Sequence, residues 1–204
     1  MISPGDQPLR TFLADLADAT PTPGGGAVAG ISLATAGAIG HMAIAFSARR
    51  SALREFAALH EESLEALDRV QERGLELATA DARAFAQLNG LWKLAEDDPE
   101  REAGWDDAVA AAIAAPAAIL SEAVDLTTRL TGLVPAISPM LRSDLAVAAI
   151  TAESAARSAA WNVRINLPLV RSVEDAARER GRLEEHLHRC TALTREVEDA
   201  CGRG

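Results

Sequence analysis

From Ala27 to Ala48 the chain carries no Asp, Glu, Lys or Arg, and most side chains there are alanine, glycine or small aliphatics. A helix that apolar on all sides needs cover from the rest of the chain, from a second copy or from a bilayer. Ala and Gly dominate the stretch, and Ser32, Thr35, His41 and Ser47 interrupt it. Its composition therefore reads as a buried central helix rather than a membrane span. Gly26, Gly30, Ala34 and Ala38 recur every four residues, so one face is a smooth strip on which another backbone can approach closely. A symmetric partner covering this strip is expected, in the commonest closed arrangement, a two-fold homodimer.

The entry to this helix is as distinctive as its body. Residues 21–26 read Pro-Thr-Pro-Gly-Gly-Gly. The prolines hold the approach extended, and glycines opening a helix leave several backbone N–H groups free to face a ligand. Gly24, Gly25 and Gly26 are thus candidates for holding an anion or a polar ligand edge. A tight turn that allows close helix packing explains the same residues without any ligand.

Aromatic residues make up 3% of the chain and tyrosine is absent, so the core must be built from Ala, Leu, Val and Ile. No run alternates in polarity as a strand would. The expected fold is all-α, a helical bundle in one domain over residues 1–204, with the Ala/Gly-rich helix at its centre. Helices are expected from Pro8 to about Ala19, with Thr20 or Thr22 as a cap before the glycines, and from Ser51 to about Leu94. Asp97–Glu100 should start another, helix should resume through Ala108–Leu130 with a kink at Pro116, and others should run from Ser143 or Asp144 to about Ile165 and from Val173 to Cys201.

The net charge of −10 argues against a nucleic-acid partner, which would require a basic face. Cys190 and Cys201 have neither the number nor the spacing of a zinc site or disulfide framework. Asp6, Arg10, Asp15 and Asp18 do not form a signal peptide. A soluble cytoplasmic protein with no membrane partner is expected. His41 reads as a core histidine, and His186 and His188, two apart, do not share a helical face, so no metal site is expected.

Polar residues that interrupt apolar helices are the candidates for chemistry. Ser143-Asp144 precedes Leu-Ala-Val-Ala-Ala-Ile, where capping is the plain explanation. Asp81 opens Asp-Ala-Arg-Ala-Phe and could be a solvated helix residue. Asn162, Arg164 and Asn166 alternate with Val163, Ile165 and Leu167, where a helix-end role is the plain one.

In combination these segments are more specific. Pro21–Gly26 with its small-residue helix, Asp81–Phe85, and Ser143–Ala149 leading into Ala159-Ala-Trp-Asn-Val-Arg-Ile-Asn-Leu167 resemble the cyclodeaminase/cyclohydrolase family from about Phe12 to Leu167. That family includes the cyclodeaminase domain of formiminotransferase-cyclodeaminase and free-standing methenyltetrahydrofolate cyclohydrolases. The resemblance implies an all-helical homodimer with a folate site in a groove near the subunit contact. It also implies either hydrolysis of methenyltetrahydrofolate to 10-formyltetrahydrofolate or cyclisation of formiminotetrahydrofolate with loss of ammonia.

Both reactions need proton transfer at one carbon beside a gained or lost positive charge, a task for a carboxylate. Neither demands a metal, a nucleotide cofactor or a covalent nucleophile. Asp144 is the first choice for that carboxylate and Asp81 the second. Gly24–Gly26, Lys93, Ser143, Asn162, Arg164 and Asn166 are candidates for holding the pterin or the glutamate carboxylates. Arg49, Arg50, Arg157 and Arg164 are available for a basic patch to admit an anionic substrate. A non-catalytic helical dimer that binds a metabolite or partner is the alternative, and a purely structural bundle a third reading.

Overall fold

Glycine sets the depth at which the central helix lies. In the computed structural model, which describes residues 3–203, α2 (Gly25–Ser47) packs between α3 (Ala57–Trp92) and α5 (Arg142–Asn166). A Cβ on Gly30 would lie 2.6 Å from the Gly74 carbonyl oxygen, and one on Gly74 would lie 2.7 Å from the Ala34 nitrogen. The two backbones are therefore in contact, and no larger residue fits at either position without moving them. Gly37 meets Leu67 and Val70, and Gly26 meets Asp81, so α3 runs antiparallel to α2.

α5 is also antiparallel to α2. Gly25 lies beside Asn162, and at the other end the Ser47 hydroxyl accepts from the Ser138 N–H at 3.0 Å. α4 (Pro99–Leu133) packs on α3 and α5, and α6 (Val173–Gly202) lies across α4 and α5; α1 (Leu9–Ala17) precedes the proline-glycine segment. Small side chains permit this close assembly. Ala148, Ala152, Ala155 and Ala159 of α5 are fully buried beside Leu33, Ile44, Leu67 and Leu130. The all-α bundle with a buried Ala/Gly-rich helix is the architecture expected from the sequence.

Several local expectations need correction. The smooth strip of Gly26, Gly30 and Ala34 is covered by α3 of the same chain rather than by a second copy, and of the four residues only Ala38 is exposed. Gly24 occupies the N-cap of α2 without a side-chain cap, so neither Thr20 nor Thr22 serves. Residues Ser51–Phe56 form a 3-10 segment with Leu53 outside helical backbone geometry, and α3 begins only at Ala57. α4 is a single helix from Pro99, capped by the Asp98 carboxylate on the Glu100 N–H at 2.8 Å, and it continues through Pro116. α5 begins at Arg142 with Leu141 at its cap position, so Ser143 and Asp144 lie inside the first turn rather than capping it.

His41 is partly exposed, 3.4 Å from Asp68, whereas the core histidine is His60, whose Nε2 pairs with the Ala136 carbonyl at 2.8 Å. The apolar stretch within α2 is not unique. A second, within Pro99–Ala136, is also long and apolar enough to cross a bilayer, and both pack inside the bundle over more than half their residues.

Candidate functional site

The antiparallel register of α2 and α3 carries one carboxyl group to the N-terminus of α2. The first N–H to find a backbone acceptor there is that of Val28, bonded to the Gly24 carbonyl at 3.1 Å. The N–H groups of Gly25, Gly26 and Ala27 precede it and lack a backbone partner, as at any helix start. Asp81, two turns beyond Gly74 on α3, places its carboxyl against Gly26 so closely that a Cβ on Gly26 would overlap it. A side chain at Gly26 would therefore have to displace the Asp81 carboxyl, the movable end of that side chain.

No ion pair or side-chain hydrogen bond to Asp81 occurs among the described residues. Burial, without a cation to offset it, pushes its carboxyl up from 3.8 to about 6. Such a group exchanges a proton near neutral pH, the property required of a general acid or base.

α5 supplies the opposite wall. A Cβ on Gly25 would meet the Asn162 amide at 3.6 Å. Asn162 Nδ2 donates to the Ser158 carbonyl at 2.9 Å, and Asn166 Nδ2 donates to the carbonyls of Ala112 at 3.1 Å and Asn162 at 3.0 Å. The cavity enclosed has a volume of about 230 Å³ and is lined by Pro21, Thr22, Gly24, Gly25, Gly26, Asp81, Phe85, Ala112, Asn162, Ile165 and Asn166. It offers backbone donors, two amides and one carboxyl group above an apolar floor, a combination suited to a flat polar heterocycle.

Six of the residues anticipated from sequence therefore meet: Gly24, Gly25, Gly26, Asp81, Asn162 and Asn166. The other four do not line this cavity. Ser143 and Asp144 are at the opposite end of α5, about 27 Å from Asn162 by the helical rise. Lys93 caps the C-terminus of α3, about 18 Å beyond Asp81. Arg164 turns toward α6, pairing with Glu184 at 2.8 Å and lying 5.4 Å from the centre of the Trp161 ring. Arg49, Arg50 and Arg157 do not line the cavity either.

Sequence reasoning missed Phe85 and Ile165 as cavity residues. Phe85 is one turn beyond Asp81 and Ile165 three residues beyond Asn162, so helical spacing was the signal available for both.

The family model for formiminotransferase-cyclodeaminase matches residues 8–185. The chain belongs to the formiminotransferase-cyclodeaminase family. It is 30% identical over 185 residues to a formimidoyltransferase-cyclodeaminase of Sus scrofa, an alignment covering 89% of this chain and 34% of that protein. The chain thus spans about a third of the length of that mammalian relative. A methenyltetrahydrofolate cyclohydrolase of Methylorubrum extorquens is 30% identical over 190 residues, covering 89% of this chain and 88% of the relative. The crystal structure of formiminotetrahydrofolate cyclodeaminase from Thermotoga maritima has the same fold, with a TM-score of 0.88 over 97% of each chain at 23% identity. Within the formiminotransferase-cyclodeaminase family, all the elements that build the cavity lie inside the matched residues.

Proposed function

We propose that this protein is an enzyme of folate one-carbon chemistry, acting at the carbon that bridges N5 and N10 of tetrahydrofolate. The observation that carries this reading is the half-buried Asp81 carboxyl against the free N–H groups of α2, in a family whose named relatives include a cyclohydrolase and cyclodeaminases. In the hydrolytic direction the ionised carboxylate takes a proton as water adds to the cationic methenyl carbon. The adduct then opens by cleavage of its bond to N5, which takes up a proton, giving 10-formyltetrahydrofolate and one net proton. In the deaminating reaction N10 attacks the formimino carbon, and the protonated carboxyl supplies the proton with which ammonia leaves. A carboxyl group with a pKa near 6 serves either role. Its negative form also balances the charge of the methenyl cation. The residues themselves supply this proton chemistry, and no cofactor enters the proposal.

The assembly belongs to the same proposal. Thr35, Ala38 and Phe46 of α2 and Val147, Ile150, Trp161 and Ile165 of α5 are exposed, with Trp161 and Ile165 70% and 73% accessible. A second copy covers this face in a two-fold homodimer. Ile165 also lines the cavity, so the contact adjoins the folate site. Asp144 lies at the far end of this face and approaches a cavity only if the second copy lies antiparallel. The protein operates in the cytoplasm in this account, where Cys190 and Cys201 remain free thiols.

Purified protein mixed with methenyltetrahydrofolate should accelerate the loss of its near-ultraviolet absorbance, or with formiminotetrahydrofolate should release ammonia. Either result supports the proposal. Neither reaction exceeding buffer would favour the non-catalytic binding dimer.

A further inference from the structure

Pro116 lies in the middle of α4 and has no N–H to offer, so the Ala112 carbonyl four residues earlier loses its helical partner. That carbonyl faces α5, where Asn166 Nδ2 donates to it at 3.1 Å and to the Asn162 carbonyl at 3.0 Å. With a carbonyl acceptor in each direction, the amide can lie only one way round. Its Oδ1 has no protein donor, yet it is not among the buried unsatisfied atoms. Asn166 is 7% exposed and lines the cavity, and its Oδ1 is the polar atom it has left for a ligand there.

We infer that Asn166 is a specificity-determining residue, locked by the carbonyl that Pro116 frees so that its Oδ1 accepts a hydrogen bond from the donor-bearing edge of the pterin ring. Pro116 is a positioning residue for this contact, although it does not line the cavity. The donors on that edge are the 2-amino group and N3–H. A ligand lacking them covers the amide oxygen without pairing it, which costs affinity. The inference rests on the folate reading of the cavity and deepens it.

Steady-state kinetics on four proteins test it, using whichever folate substrate the wild type turns over. Asn166→Leu should raise KM about 10-fold with kcat changed less than 2-fold, the scale of one buried hydrogen bond. It should also lower Tm, because Ala112 is left without a donor. Pro116→Ala restores the helical N–H to Ala112, so Tm should hold or rise while KM rises about 3-fold as Asn166 loses its lock. The double variant should recover the lost Tm yet keep the high KM.

A substrate analogue with methyl in place of the 2-amino group and a second methyl on N3, so that neither donor remains, should bind wild type about 10-fold more weakly than the parent and Asn166→Leu almost equally. An unchanged KM in Asn166→Leu and the double variant, or equal discrimination against the analogue by both proteins, would overturn the inference alone. Absence of wild-type turnover with both folate substrates would overturn the folate reading and this inference with it.

Discussion

Replacing Asp81 with asparagine should make the protein more stable at neutral pH while removing its activity. The folded protein holds the Asp81 carboxyl at about 6 against an ordinary value of 3.8, which corresponds to about 3 kcal/mol between the two protonation states. Below pH 3.8 the group is protonated in both folded and unfolded chains and costs nothing. Between 3.8 and 6 the folded chain holds a proton that the unfolded chain has released, so stability falls as pH rises. Above 6 the group is ionised in both states and the full penalty persists.

Asparagine cannot ionise, so Asp81→Asn removes this penalty and leaves the shape of the site. The difference in unfolding free energy between variant and wild type should be only about 0.5 kcal/mol at pH 4 and grow through pH 6. It should level off at up to about 3 kcal/mol, less whatever the carboxylate recovers through water in the cavity. Urea titrations of both proteins at half-unit intervals from pH 4 to 8 measure it. A difference that does not change with pH, or a variant less stable than wild type at pH 8, would show that ionised Asp81 does not destabilise the fold.

Other perturbations follow from the same geometry. Gly26→Ala puts a Cβ where the Asp81 carboxyl lies, so turnover should fall by about 10-fold or more with helical content by circular dichroism unchanged. Gly30→Ala drives a methyl group against the Gly74 carbonyl. Its overpacking should outweigh the gain of about 1 kcal/mol in helix propensity and lower stability by about 2 kcal/mol in urea titration. Equilibrium sedimentation should show a dimer at micromolar concentration, and Trp161→Glu with Ile165→Glu should give a folded monomer. A monomeric wild type would contradict the assembly.

The central helix and the all-helical fold were legible because they depend on local composition. An uncharged Ala/Gly stretch has few ways to exist outside a close-packed interior. The members of the cavity were legible only in part. Asn162 and Asn166 share a face by their spacing, and Asp81 and Phe85 do so too. That these two faces meet at Gly25 and Gly26 depends on the Gly30–Gly74 contact, a pairing between distant segments that periodicity does not reveal.

Asp144 belongs to the Ser143–Ala149 segment that carries the family resemblance, and Ser-Asp before an apolar run taken alone reads as a helix cap. Yet Asp144 and Asn162 belong to one helix, whose rise of 1.5 Å per residue keeps them at opposite ends. The corrected helix starts have a similarly local cause. At α2 the prolines and glycines bring the chain in without any side-chain cap, and at α5 the turn through Pro139–Leu141 delivers the chain directly into Arg142. The bond from Asn166 to Ala112 could not be read at all, since it joins a proline's missing donor to an amide on another helix.

Whether Asp81 transfers the proton is decided by kcat as a function of pH for wild type, Asp81→Asn and Asp144→Asn with the productive folate substrate. Wild-type hydrolysis of methenyltetrahydrofolate should rise through an apparent pKa near 6, the value burial gives Asp81, because the ionised form accepts the proton. If ammonia release is the productive reaction, kcat should instead fall through the same pKa. Asp81→Asn should lose roughly 100-fold or more and show no such dependence, with a clearly smaller loss in Asp144→Asn. Retention of turnover and of the titration near pH 6 in Asp81→Asn, or a loss at Asp144 exceeding that at Asp81, would contradict proton transfer by Asp81.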